Sequence, residues 1–400
     1  MSQIALPLDA SPEAPAALPE GTQRALQRAR LPQATSCQAQ ADAAFLSAGF
    51  ETEGFRIGWE HARYLSTPPA DHLHAGHPVR QGWEAGRAAF AGRTLTFTRA
   101  VRLWLALRLQ SWLRCCTFDE LWVTPRFVAR IDVACCPVTQ VALTHNPTGA
   151  ESATDAVLMP LHEGAGSVAG NLVVVSRQVA QARAALNPED MGRTVQRLAA
   201  GESSSVAGME LPAWRRLQAL TNLATPLAHD QAAAQPLHVL PPPRVRLLNP
   251  VQGLQAVLTM VFTGPGYARQ LTDLGAFMPH AQARRAYFLF MNAMLARRLS
   301  ARGAVPPALV RHALEQAWSH PLVQQRWQSL AQVITPAQAE RVLRLVAQRG
   351  DGSLGVPGAT APAGTVGSAV GAKSLAWRWM DASAATDGWA PAACSPARTR

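Results

Sequence analysis

Apolar residues recur three and four positions apart through most of residues 41–349, the spacing of helices that bury one face. TLTFTRAVRLWLALRLQSWLR (94–114) is the strongest instance, with Leu103, Trp104 and Leu107 in one stripe and Arg102 and Arg108 flanking it. The rhythm resumes after Asn187-Pro188, in PEDMGRTVQRLAAG, ELPAWRRLQALTNLA, VQGLQAVLTMVF, RRAYFLFMNAMLARRLSARG and PPALVRHALEQAWSH. In TPAQAERVLRLVAQRG, Thr335 is the N-cap, Pro336 the first helical residue and Gln338 the closer of a capping box, with Gly350 as the stop. The run PLHVLPPPRVRLLNP (236–250) breaks the pattern, because three consecutive prolines demand an extended connection.

Between 114 and 186 the period changes. ELWVTPRFVARI (120–131), PVTQVALT (137–144) and NLVVVS (171–176) are rich in Val, Thr and aromatics and predict short strands. Residues 136–144 are expected to pair with 171–176, and 176–186 to form a helix packed on them with Arg177 and Arg183 on its polar side. The fold class expected is therefore mainly α-helical with a small α+β, ββα-like insert. Five segments follow: a disordered start (1–40), a helical region (41–113), the insert (114–186), a second helical region (187–349) and a disordered Gly/Ala/Pro tail (350–400). Trp377, Trp379 and Trp389 fit such a tail poorly, and a change of reading frame near the end would account for them.

Composition adds a partner. The chain of 400 residues carries a net charge of +11, which points to a polyanion, nucleic acid ahead of a membrane surface. Lys373 is the single lysine, so the charge is nearly all arginine, as a GC-rich coding sequence would also give. No apolar run approaches the roughly 18 residues of a membrane span, and the start has no signal-peptide pattern. Cytoplasmic placement is the expectation. The pairs Cys115–Cys116 and Cys135–Cys136 make no disulfide framework and are read as buried free thiols.

RIGWEHAR (56–63) and RQGWEAGR (80–87) share Arg-x-Gly-Trp-Glu-x-x-Arg. In each, Glu stands three residues before Arg, so the two can meet on one helix face. A duplicated helix start with Trp59 and Trp83 as core anchors is favoured over an Arg/Trp surface that stacks on bases. The histidines of DHLHAGH (71–77) are read as a solvated loop rather than a metal site.

CCPVTQVALTHNPTG followed by HEGAGSVAGNLVVVSRQVAQARA resembles the pattern of HNH (ββα-metal) endonucleases of the phage recombination-endonuclease type. The likeness rests on Cys136-Pro137-Val138-Thr139, Gly166-Ser167, Gly170-Asn171, the strand through Val173–Ser176 and the helix to Arg183, and covers residues 136–184. The resemblance implies a divalent metal held by a strand-end carboxylate and a helix-borne ligand, with a general base for water. Aligned on Gly170-Asn171, the Asp position falls on Met159, its Arg neighbour on Pro160, the helix Asn on Ala180 and the Tyr on Ser167. A thioether and a methyl group do not bind a cation that wants oxygen. The Cys-x-x-Cys zinc knuckle is also missing, since Thr139 stands where a second cysteine would.

Vestigial site residues are then His162, Glu163 and Asn171, with Asn171 tying the loop, and Arg177 and Arg183 are the candidate nucleic-acid contacts. Asp155 and His162, with Glu163, His145 and Gln181 nearby, are the ligands a relocated site would use for magnesium or manganese; otherwise no cofactor is expected. The leading expectation is a nucleic-acid-associated protein, DNA ahead of RNA, derived from a phage or mobile-element nuclease and without hydrolytic activity. A helical interaction protein with no nucleic-acid role, and a working nuclease with relocated ligands, are the alternatives.

Overall fold

Proline opens seven of the helices in this computed structural model of the protein, at positions 78, 125, 188, 250, 307, 321 and 336. Its fixed φ suits the first helical position, where no N–H is needed. Residues 49–145, 151–184, 186, 188–263, 266–300 and 307–350 are described. The expectations for 1–40, for the tail beyond Gly350 and for Asn187 lie outside them.

The order is α1 (49–63), α2 (Pro78–Phe90), α3 (Arg99–Leu113), α4 (Pro125–Ile131), β1 (Ala156–Pro160), β2 (Leu172–Ser176) and α5 (Arg177–Ala184). Then follow α6 (Pro188–Ala199), α7 (Leu211–Leu223), α8 (His229–Ala234), α9 (Pro250–Met260), α10 (Tyr267–Ala276), α11 (Ala281–Ser300), α12 (Pro307–Ala317), α13 (Pro321–Ala331) and α14 (Pro336–Gly350). The protein is thus mainly helical with one two-stranded antiparallel sheet among the described residues. No helix there is long and apolar enough to cross a membrane.

Local signals place several of these ends. Thr98 and Thr124 accept hydrogen bonds from the Val101 and Phe127 backbone N–H groups and so cap α3 and α4. At α14 the capping box forms in full: the Gln338 N–H donates to Thr335 Oγ1 at 3.3 Å and the Thr335 N–H to Gln338 Oε1 at 3.0 Å.

Two strand expectations are overturned. Residues 125–131 form α4, because Thr124-Pro125 is a helix start and Phe127, Val128 and Ile131 make one buried face. Residues 137–144 form a turn with two isolated bridges, Cys135 to Ala142 and Thr144 to Asp155. The partner of β2 is instead β1, in register from Ala156 opposite Ser176 to Pro160 opposite Leu172. The expected helix after β2 is present as α5, packed on both strands.

One apolar cluster runs from Ala100 to Val346, so the insert and the later helices share a core. Its aromatic centre is Phe290, Trp318 and Trp327, with ring centroids 5.4–5.7 Å apart. Each buried polar tip finds an acceptor: Trp327 Nε1 donates to Ala233 O and Trp318 Nε1 to Thr259 Oγ1. The proline-rich run forms no helix, as expected, but it is not extended throughout: it turns at Pro243-Arg244, where Arg244 has φ 60° and the Val245 N–H donates to Pro242 O. It passes through the core with Leu237, Val239, Leu240, Val245 and Leu247 buried.

The Arg-x-Gly-Trp echo marks a helix crossing. A Cβ on Gly58 would collide with the Val79 carbonyl oxygen, and one on Gly82 with that of Phe55, so each glycine lets the other helix's backbone in. Trp59 and Trp83 are half-buried, and Trp83 Nε1 donates to Ser66 O. The expected ion pairing holds in the first copy only. Glu60 meets Arg63, whereas Glu84 pairs with Arg80 and Arg87 lies over the Trp83 ring. The nearby histidines are packed rather than simply solvated: His77 caps α2 and its ring lies 4.7 Å from that of His74. Cys136 is a buried thiol as expected, but Cys115 and Cys116 are exposed, and Cys135 is not a free thiol but disulfide-bonded.

His61 is buried on α1, its Nδ1 paired with Ser66 Oγ and its Nε2 without a partner. Burial, then the nearby His72, pushes its pKa down to about 4 from 6.5. The unfolded chain therefore takes up this proton first as pH falls, and stability present above about pH 6.5 is lost down to about pH 4. The contribution is about 3 kcal/mol. Urea unfolding at pH 7.5 and 4.5 is expected to show this loss and His61→Gln to reduce it; equal stability at the two pH values would refute the buried neutral imidazole.

Candidate functional site

The hairpin β1–β2 and helix α5 hold every residue singled out for chemistry except His145. Backbone bonds fix the junction: the Arg177 and Gln178 N–H groups, orphans of the first turn of α5, donate to Asp155 O and Ala153 O. On the other side of β1 lies α3.

Asn171 organises the connecting loop. Its Oδ1 accepts from the His162 N–H at 2.9 Å, and its Nδ2 donates to His162 O and Gly166 O, both at 2.8 Å. The Leu161 N–H donates to Asn171 O and closes the hairpin. The loop is also pinned from outside. Buried Ser167 shares a hydrogen bond with Ser111 Oγ at 2.8 Å, and its N–H donates to Thr117 O. Gly166 has φ 69°, and a Cβ there would strike Thr117 Oγ1. The Arg246 N–H, from the proline-rich run, donates to Gly170 O. A side chain with this set of bonds is a structural tie, and Asn171 is 6% exposed.

The expected site residues divide between the two ends of β1. His162, Glu163 and Asn171 lie past its C-terminal end, with Arg183 reaching across from α5. Asp155, His145 and Arg177 lie at its other end. Seven residues of near-extended chain put Asp155 roughly 20 Å from His162. A relocated metal site using both is therefore ruled out by the strand that separates them. Asp155 is already engaged: it accepts from Thr144 Oγ1 at 2.7 Å and from the Ser152 N–H at 2.8 Å.

The donor set does not fit the metal implied by the resemblance. Met159 is buried in the core on β1, and Ala180 packs partly against the same core. Among the described residues no three His, Cys, Asp or Glu side chains come together as a metal site. Gln181, beside Ala180, is exposed.

The two arginines also differ from expectation. Arg183 is 6% exposed, donates from Nη1 to Leu186 O at 2.8 Å and stands 3.6 Å from Glu163, which is itself largely exposed. It is a buried bracket between α5 and the loop, so it is not a surface contact for nucleic acid. Arg177 is half-buried and pairs with Glu151 at 2.9 Å. Arg108, which the α3 stripe places at a flank, is buried too, held between Glu53 at 2.7 Å and Glu120 at 2.8 Å.

Sequence reasoning missed the cavity at the Asp155 end. It has a volume of about 150 Å³; its polar wall is Arg102 and Gln110 of α3 with Thr144, His145, Asp155 and Arg177, and apolar side chains of α3 and β1 make up the rest. Burial, followed by the charges of Arg99 and Arg102, pushes the His145 pKa down to about 4. Arg102 sits one turn from Ala106 and two from Gln110 on α3, and that spacing was the available signal.

Comparison of the chain with protein-family models, with curated proteins and with solved structures finds no match.

Asn171→Ala strands the His162 N–H and removes two bonds to carbonyls, an expected loss of about 2–4 kcal/mol. Differential scanning calorimetry should show the drop in Asn171→Ala and almost none in His162→Ala. Equal effects would mean that the loop is held by His162 rather than by Asn171.

Proposed function

We propose that the protein is a nucleic-acid-associated protein, acting in the cytoplasm, whose hairpin and α5 descend from an HNH-type nuclease of a phage or mobile element and no longer hydrolyse phosphodiesters. The observation that carries this reading is the loop tie. An antiparallel pair leads into a helix, and the loop between the strands is closed by Asn171 at the place where the resemblance puts an asparagine. Met159 and Ala180 stand where oxygen donors are required, which supports loss of the reaction. The net charge of +11 supports a polyanionic partner, DNA ahead of RNA.

A helical interaction protein is the second reading. What favours it is the turn before α4, where Leu121 and Trp122 are 76% and 66% exposed, together with the engagement of Arg177 and Arg183 by acidic partners. Exposed large apolar side chains in a cluster are a mark of protein contacts.

Fluorescence anisotropy with labelled duplex and single-stranded DNA separates the two. On the first reading, binding at low salt weakens steeply as salt rises, because bound counterions are released. No binding at low salt leaves the interaction protein.

The purified chain should fail to nick plasmid DNA with magnesium or manganese. Nicking that disappears in His162→Ala or Glu163→Ala would overturn the loss of activity. Gain of nicking in the double variant Met159→Asp, Ala180→Asn would show that the scaffold still supports the chemistry.

A further inference from the structure

We propose that the cavity between α3 and the start of β1 binds one tetrahedral oxyanion, a phosphate group, through Arg102, Arg177 and His145. The inference stands on the cavity itself and not on the ancestry of the hairpin.

Size comes first. A volume of about 150 Å³ falls below the ~300–1,000 Å³ of sites for drug-sized organic ligands. It exceeds several times the ~30 Å³ share of a single water. A phosphate with a water or two fills it.

The lining then selects the chemistry. Arg102 is half-buried and has neither an ion pair nor a hydrogen bond among the described residues. Arg177 Nε and His145 Nε2 are buried and have no partner either. The Arg102 guanidinium, Arg177 Nε and His145 Nε2 thus border one space with no acceptor supplied to these groups, Arg177 using only Nη1 for Glu151. The one carboxylate in the wall, Asp155, has its oxygens occupied by Thr144 Oγ1 and the Ser152 N–H. Arg99, close behind His145, is answered by Asp132 at 2.6 Å. What remains uncompensated is the Arg102 charge, with Arg177 shared by the exposed Glu151. A guanidinium pair with a fork of N–H donors recognises a tetrahedral oxyanion better than any neutral ligand of this size.

His145 gives the site a reporter. Held neutral by burial and by the charges of Arg99 and Arg102, it gains a counter-charge when the anion enters. Its pKa then rises, and the imidazolium donates to a phosphate oxygen.

The test titrates the full chain with inorganic phosphate in low-chloride buffer at pH 6.5, followed by calorimetry and by the His145 ring signals in NMR. Saturable binding of one phosphate and an upward-shifted His145 titration are expected. Arg102→Gln should weaken binding by about ten-fold or more, the loss of one charge-assisted bond. Glu151→Gln should tighten it several-fold by releasing Arg177, a gain that a damaged fold cannot imitate. No saturable binding, or binding unaffected by Arg102→Gln, overturns the proposal.

Oligonucleotides with and without a 5′-phosphate identify the source. Competition by both assigns a backbone diester, competition by the phosphorylated one alone a terminal monoester, and competition by neither a small phosphate ligand. In that last case the cavity proposal stands while the nucleic-acid reading loses its support. Oligonucleotide binding that ignores both phosphate and Arg102→Gln has the opposite result.

Discussion

A single buried carboxylate joins three segments of this protein that lie far apart in sequence. Glu315 of α12 is 5% exposed. It accepts from the Leu240 N–H at 2.9 Å, from Gln140 Nε2 at 3.3 Å and from Arg311 Nε at 3.3 Å. The proline-rich run, the turn after Cys136 and α12 therefore meet on one charge. Leaving such a charge unpaired in an apolar core costs several kcal/mol, so each partner is held in place by the need to satisfy it. Arg311 contributes twice, because its Nη2 also donates to Leu240 O at 2.7 Å. Burial lowers the Arg311 pKa, and the neighbouring Glu315 acts against that shift. The hairpin hangs on the same arrangement through the bond from Arg246 to Gly170.

Helices with strong periodicity were legible in the chain because periodicity reports burial of one face. α3 and α14 are examples, and Thr335 with Gln338 adds a local bond that needs no tertiary context. β2 was legible because Val173, Val174 and Val175 are β-branched and closely flanked. β1 was not. Ala-Val-Leu-Met-Pro has little β-branching and ends in proline, and it becomes a strand only through β2 on one side and α3 on the other. Pro125 misled in the opposite direction, since Val and Phe beside it suited either state and the Thr124 cap decided for helix.

The candidate site was half legible. A structural role for Asn171 followed from its neighbours, and the structure gives it three side-chain bonds. The fates of Arg108 and Arg183 did not, because an arginine in an amphipathic helix has the same local pattern whether it faces water or a distant glutamate. Only the fold brings Glu53 and Glu120 to Arg108, or Glu163 to Arg183. The same limit hid the cavity, whose lining comes from α3, from the turn at Thr144 and from the start of α5.

The bond between Arg246 and Gly170 sets an order on the birth of the molecule. Chains leave the ribosome N-terminus first, at about 5–20 residues per second. Both strands and α5 are synthesised before the segment that braces their loop, and that segment precedes Arg311 and Glu315, which satisfy its own backbone at Leu240. For on the order of ten seconds, the nascent hairpin has α3 and α5 against it but lacks the segment that braces its loop. The last piece of that brace to be made is α12, whose Arg311 and Glu315 satisfy the backbone at Leu240.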